Sequence, residues 1–137
     1  EPVIEHLINS ARTFIFDTGL APAAVGSALA ATTTVLSRPD LPGLARSATD
    51  NLAEIAEHAG WQANPHDAAV ASIPVGTPAQ AVRAQQVCAQ EGVDVGCFRP
   101  PSVPDGIARL RMTGQADLTD DDLNLVEKAL RAAREAT

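Results

Sequence analysis

Apolar positions along the chain recur with two different periods, and the changes from one to the other mark its elements. Residues 2–12 read as the closing turns of an amphipathic helix with Val3, Ile4, Leu7 and Ile8 on one face. The apolar, partly aromatic run at 13–17 predicts a buried strand ending at the turn around Gly19. A helix is expected over 22–36, with Pro22 in its first turn, where a missing N–H leaves no bond unmade. The stretch SRPDLPG, 37–43, interrupts the pattern, and it divides the chain into a segment 1–37 and a domain 38–137.

Past that break Leu44, Ala48, Leu52, Ile55, Ala56 and Ala59 repeat at helical spacing until Gly60. Residues 69–75 read as a strand, Thr77 caps a helix running to 90, 93–98 and 107–113 read as strands, and 118–133 as a closing helix. Thr119 followed by Asp122 forms a capping box there, with Asp120 and Asp121 complementing the positive helix end. The expected class is α/β, with an α+β small domain in which an antiparallel-rich sheet packs on helices. The strands at 93–98 and 107–113 should pair antiparallel, which would make Arg99 and Arg111 near neighbours at one end of the sheet.

Composition narrows the function classes. With 137 residues, 45% hydrophobic and 20% charged, the chain has the make-up of a folded domain rather than a disordered tail. A net charge of -7 supplies no basic stripe for nucleic acid or an anionic membrane, so small ligands are the expected partners. Residues 19–37 lack charge over nearly a bilayer's span. Pro22 and their glycines, serines and threonines fit a helix buried against protein better than one facing lipid. Two cysteines, Cys88 and Cys97, make neither a disulfide framework nor a zinc site, and a reducing cytoplasm is expected. His6, His58 and His66 stand singly, each expected at a surface or helix end, and no metal site is predicted. Trp61 is expected to anchor packing.

The chemistry gathers in RPPSVPDGIARLRMT, 99–113. The prolines should hold Arg99, Ser102 and the backbone between them extended. Alternation puts Arg109 and Arg111 on one face and Leu110 and Met112 on the other, toward the core. An arginine held in place is a bidentate fork for carboxylates; the same spacing also fits a solvated face whose arginines pair with the abundant acids.

The stretch RPPSVPDGIARLR, preceded by VDVGCF and followed by LTDDDL, closely resembles the carboxyl-terminal signature of the α-oxoamine synthases. These are pyridoxal-phosphate enzymes of the fold-type I, aminotransferase-like class. INSARTFIFDTGLAPA is similar to the family segment that follows the cofactor lysine, so the resemblance spans nearly the whole chain. The two wordings favour the branch that condenses L-alanine with pimeloyl-CoA, or a pimeloyl carrier protein, in biotin formation. A sister activity on glycine and acetyl-CoA is the first alternative, and a non-catalytic α/β module the alternative of another class.

The resemblance implies a homodimer with its active site at the subunit interface. It implies that Arg111 grips the substrate α-carboxylate and that Ser102 and Arg99 lie on a loop over the substrate. Ser102 replaces a more usual threonine and keeps its hydroxyl. Thr18 falls where the family has a hydroxyl near the cofactor phosphate of the partner subunit, while Asp17 departs from the usual Ser or Thr and should point away. The only lysine, Lys128, is expected on a solvated face. The lysine that holds the cofactor is therefore expected upstream of Glu1, in a protein whose middle this sequence enters, and the chain alone is expected to be inactive.

Overall fold

The computed structural model describes residues 1–12, 19–103 and 105–137, so the strand expected at 13–17, with Asp17 and Thr18, lies outside the described residues. These fall into two compact units, Glu1–Arg38 and Pro39–Thr137. The first contains α1 (Pro2–Ser10) and α2 (Pro22–Ser37), each opened by proline and neither with a buried residue. Val3, Ile4, Leu29 and Leu36 are all more than half exposed. Among the described residues no helix is long and apolar enough to cross a membrane.

The second unit runs α3 (Leu41–His58), β1 (Val70–Gly76), α4 (Pro78–Gln90), β2 (Gly96–Phe98), β3 (Ala108–Thr113) and α5 (Asp120–Glu135). Helix α3 starts inside the predicted break. Asp40 precedes it, and Pro42 and Gly43 occupy its first turn, where backbone N–H groups have no intrahelical acceptor to lose. It ends at Gly60, whose φ of 84° closes a Schellman turn in which the Trp61 N–H donates to Ala56 O at 2.9 Å. The capping boxes open α4 and α5 as expected: Thr77 with Gln80, and Thr119 with Asp122.

The sheet has the order β1-β3-β2, both pairings antiparallel. A bulge between Pro74 and Gly76 offsets the end of β1, an edge strand where proline is tolerated. Strand β2 is shorter than the sequence suggests. The Val93 N–H is used to close α4 on Cys88 O, and the Val95 carbonyl accepts from Gln85 Nε2 at 3.0 Å, so neither enters the ladder.

One sheet face carries the core. Ala71, Ile73, Leu110 and Met112 point to it and meet Leu52 and Ala56 of α3, Ala84 and Cys88 of α4, and Leu130 of α5. Helices α3 and α4 lie on the sheet, and α5 packs on both helices. Trp61 is the anchor expected: 6% exposed, it donates from Nε1 to Leu130 O at 3.0 Å, with the Arg134 guanidinium over its ring. Burial of the Cys88 thiol pushes its pKa up to about 11. Two buried threonine and glycine positions fix how α3 meets the sheet. Thr49, fully buried, donates to Ala45 O, and Gly114 sits against it, donating its N–H to Ala69 O.

Candidate active site

The other sheet face is polar, and the register decides which of its side chains meet. Gly96 stands opposite Arg111 and Phe98 opposite Arg109, while Ser72 of β1 flanks Arg111 from the other side. Arg109 and Arg111 share this face, as the alternation predicts, with Ala108, Leu110 and Met112 buried behind them.

The register also corrects an expectation. Arg111 lies opposite the first residue of β2 and Arg99 follows its last, so the two arginines are separated along the strand rather than neighbours at one end. The proline stretch differs too. Instead of running extended, it folds into a turn in which the Ser102 N–H donates to Arg99 O at 2.9 Å, with a cis bond between Pro100 and Pro101. A proline pair satisfies local stiffness in a turn as well as in an extended run, so the sequence rule could not distinguish them.

Each arginine is disposed differently. Arg109 is turned to its own loop: it pairs with Asp105, and its Nε donates to Ile107 O at 3.3 Å. The Arg109 hydrogen bond, and after it the Ile107 N–H, hold the Asp105 carboxyl below its usual pKa. Arg111 is exposed, and its guanidinium carbon lies 4.4 Å from the centre of the Phe98 ring. Arg99 and Ser102 are exposed on the turn, which is pinned by the buried Val103. Among the described residues neither Arg99 nor Arg111 meets a carboxylate, so the solvated-face reading of paired arginines holds for Arg109 alone.

Two further residues on or near this unit escaped the sequence. The Ser72 hydroxyl is buried and has no hydrogen-bond partner, a fact visible only once register sets it beside Arg111. His66 is not a bare surface residue: its Nε2 lies 3.0 Å from Asp50 Oδ1, tying the segment before β1 to α3 across 16 positions. No spacing rule reaches so far. Among the described residues no group of three or more side chains could hold a metal ion.

The aminotransferase class I and II family matches residues 1–130, and the chain belongs to it. Its relatives include the 8-amino-7-oxononanoate synthase of Mycobacterium sp. (strain JLS), 50% identical over 93% of this chain and 32% of that protein. The enzyme of the same name from Mycolicibacterium smegmatis is 49% identical over 95% and 33%. Among solved structures, Sphingomonas wittichii serine palmitoyltransferase superposes with a TM-score of 0.86 at 22% identity, over 99% of this chain and 35% of that one. The 8-amino-7-oxononanoate synthase of Francisella tularensis gives 0.76 at 22% identity, over 98% and 39%. The aminotransferase-like fold expected from the sequence is thus borne out, and the chain spans about a third of the length of the curated relatives it matches.

Proposed function

We propose that the chain serves as the carboxyl-terminal part of a homodimeric, cytoplasmic, pyridoxal-phosphate-dependent 8-amino-7-oxononanoate synthase. In this reading 1–37 ends the large cofactor-binding domain and 38–137 is the small domain. The reaction condenses L-alanine with a pimeloyl thioester, carried on CoA or carrier protein, and releases CO2 and the thiol. Identity near 50% to enzymes of that name supports the reading. The observation that carries it is Arg111, a guanidinium presented on a sheet face without a neutralising carboxylate among the described residues.

The residues described do not offer the cofactor a Schiff-base site. Lys128 is the only lysine; its side chain is 70% exposed and its Nζ pairs with Glu91 at 2.7 Å. Covalent chemistry therefore falls to residues other than these 137, and the chain by itself is inactive. What it contributes is recognition. Arg111 donates two N–H bonds to the amino acid's carboxylate in a bidentate clamp and so fixes how the α-carbon is turned toward the reacting centre. Ser102 offers a hydroxyl from the loop, Arg99 anchors that loop or adds charge to it, and Thr18 would meet the cofactor phosphate in the partner subunit.

Spectral titration of the intact enzyme with L-alanine tests this. Arg111→Ala removes a charge-assisted pair, so alanine affinity should fall about 10- to 100-fold while cofactor affinity holds. Unchanged alanine binding would take Arg111 out of the site. A clear preference for glycine over alanine in the parent enzyme would replace this activity with the acetyl-CoA-dependent one.

A further inference from the structure

We infer that Phe98 is a positioning residue for Arg111, and that Gly96 is glycine so that the phenyl ring can reach it. The inference rests on the proposed role of Arg111 in gripping a carboxylate.

In the ladder Phe98 faces Arg109, not Arg111. Its ring nonetheless leans back along β2: a Cβ at Gly96 would lie 3.0 Å from Phe98 Cε2 and 3.5 Å from Arg111 Cβ. Lying over Gly96, the ring reaches the diagonal neighbour and places its face 4.4 Å from the Arg111 guanidinium carbon. Such diagonal contacts between strands are within reach of an aromatic side chain. Arg109, the direct neighbour, is meanwhile drawn off by Asp105 and Ile107 O. One arginine is neutralised and the other is presented.

Stacking suits presentation because it uses the flat face of the guanidinium and leaves the N–H donors at its edge for a carboxylate. It also limits the rotamers of a long exposed side chain before substrate arrives, so less freedom is lost on binding. An aliphatic residue at 98 could fill the same space but would give neither effect.

The test uses the intact, cofactor-loaded enzyme throughout, 15N-labelled where the resonance of Arg111 is followed. Phe98→Leu should weaken alanine binding about two- to fivefold, an effect falling on KM more than kcat, and Phe98→Tyr should restore it. In the labelled enzyme the Arg111 Nε–H resonance, assigned with Arg111→Lys, should lose its ring-current shift in Phe98→Leu and keep it in Phe98→Tyr. Gly96→Ala, which displaces the ring with Phe98 retained, should reproduce the Phe98→Leu result. Three results would overturn the inference: no ring-current shift in the parent enzyme, unchanged alanine affinity in Phe98→Leu, or failure of tyrosine to rescue. If Arg111→Ala weakens alanine binding and Phe98→Leu does not, only the positioning role falls. If Arg111→Ala has no effect, both readings fall together.

Discussion

Adding one methyl group at Gly114 should test how α3 is seated on the sheet. A Cβ there would come within 2.5 Å of Ala45 O and 2.7 Å of Thr49 N, and closer still to Thr49 Oγ1. Two of these three atoms are backbone, so no side-chain rotation relieves the clash. Carbon atoms in good contact sit about 3.5–4.0 Å apart, and the helix would have to withdraw by about 1 Å. Withdrawal opens a gap where Leu52, Ala53 and Ala56 meet the core, forfeiting about a quarter to a half of each affected contact. Gly114→Ala should therefore cost about 3 kcal/mol, the upper part of the range for overpacking. In urea that corresponds to a midpoint lowered by about 1–3 M with little change in slope. Gly43→Ala is the control: Gly43 lies in the first turn of α3 with open space around it, and alanine there should stabilise by about 0.5 kcal/mol. A Gly114→Ala midpoint within error of the parent would mean that α3 and the residue following β3 do not approach as described.

The buried thiol of Cys88 makes stability fall with alkali. Its pKa is raised from 9.0 to about 11, so the folded protein keeps a proton that the unfolded chain has lost. The stabilisation is whole below pH 9 and declines between pH 9 and 11, by up to about 3 kcal/mol. Urea midpoints at pH 8 and pH 10.5 should show the decline in the parent and a smaller one in Cys88→Ala; equal declines would refute it. The partnerless hydroxyl of Ser72 gives the opposite sign to most buried substitutions. Ser72→Ala should leave stability unchanged or raise it by about 1 kcal/mol, because no bond is lost with the oxygen. A loss above about 1 kcal/mol in thermal unfolding would show that the hydroxyl is satisfied.

Much of the second unit was legible because local signals agreed with one another. Thr119 and Asp122 announced the start of α5, Thr77 that of α4, and Gly60 the end of α3, each through backbone groups within a few residues. Alternation likewise put Leu110 and Met112 behind Arg109 and Arg111. What escaped depends on partners remote in sequence. The length of β2 was set by Gln85 claiming a carbonyl, the environment of His66 by Asp50, and the neighbours of Arg111 by a register no single strand encodes. The family motif, in turn, singled out Arg99, Ser102 and Arg111 by wording, and it could not say that Arg111 would rest on Phe98.

That resting place bears on why the chain keeps an aromatic ring there at all. Aromatic residues make up 3% of this sequence, and among the described residues Phe98 is the one phenylalanine. The core is built mostly from alanine with Leu52, Ile73, Leu110 and Leu130, and its one aromatic anchor is Trp61. Phe98 neither belongs to that core nor packs against it. A large apolar side chain left outside the core returns only part of its burial energy to folding, so stability is a weak reason to hold it at this position. Recognition is a stronger one. Opposite a helix-covered face whose work is cohesion, the second face of the same three strands brings a glycine, a ring and a guanidinium into contact, and the proposed positioning of Arg111 gives that contact a use that folding alone does not.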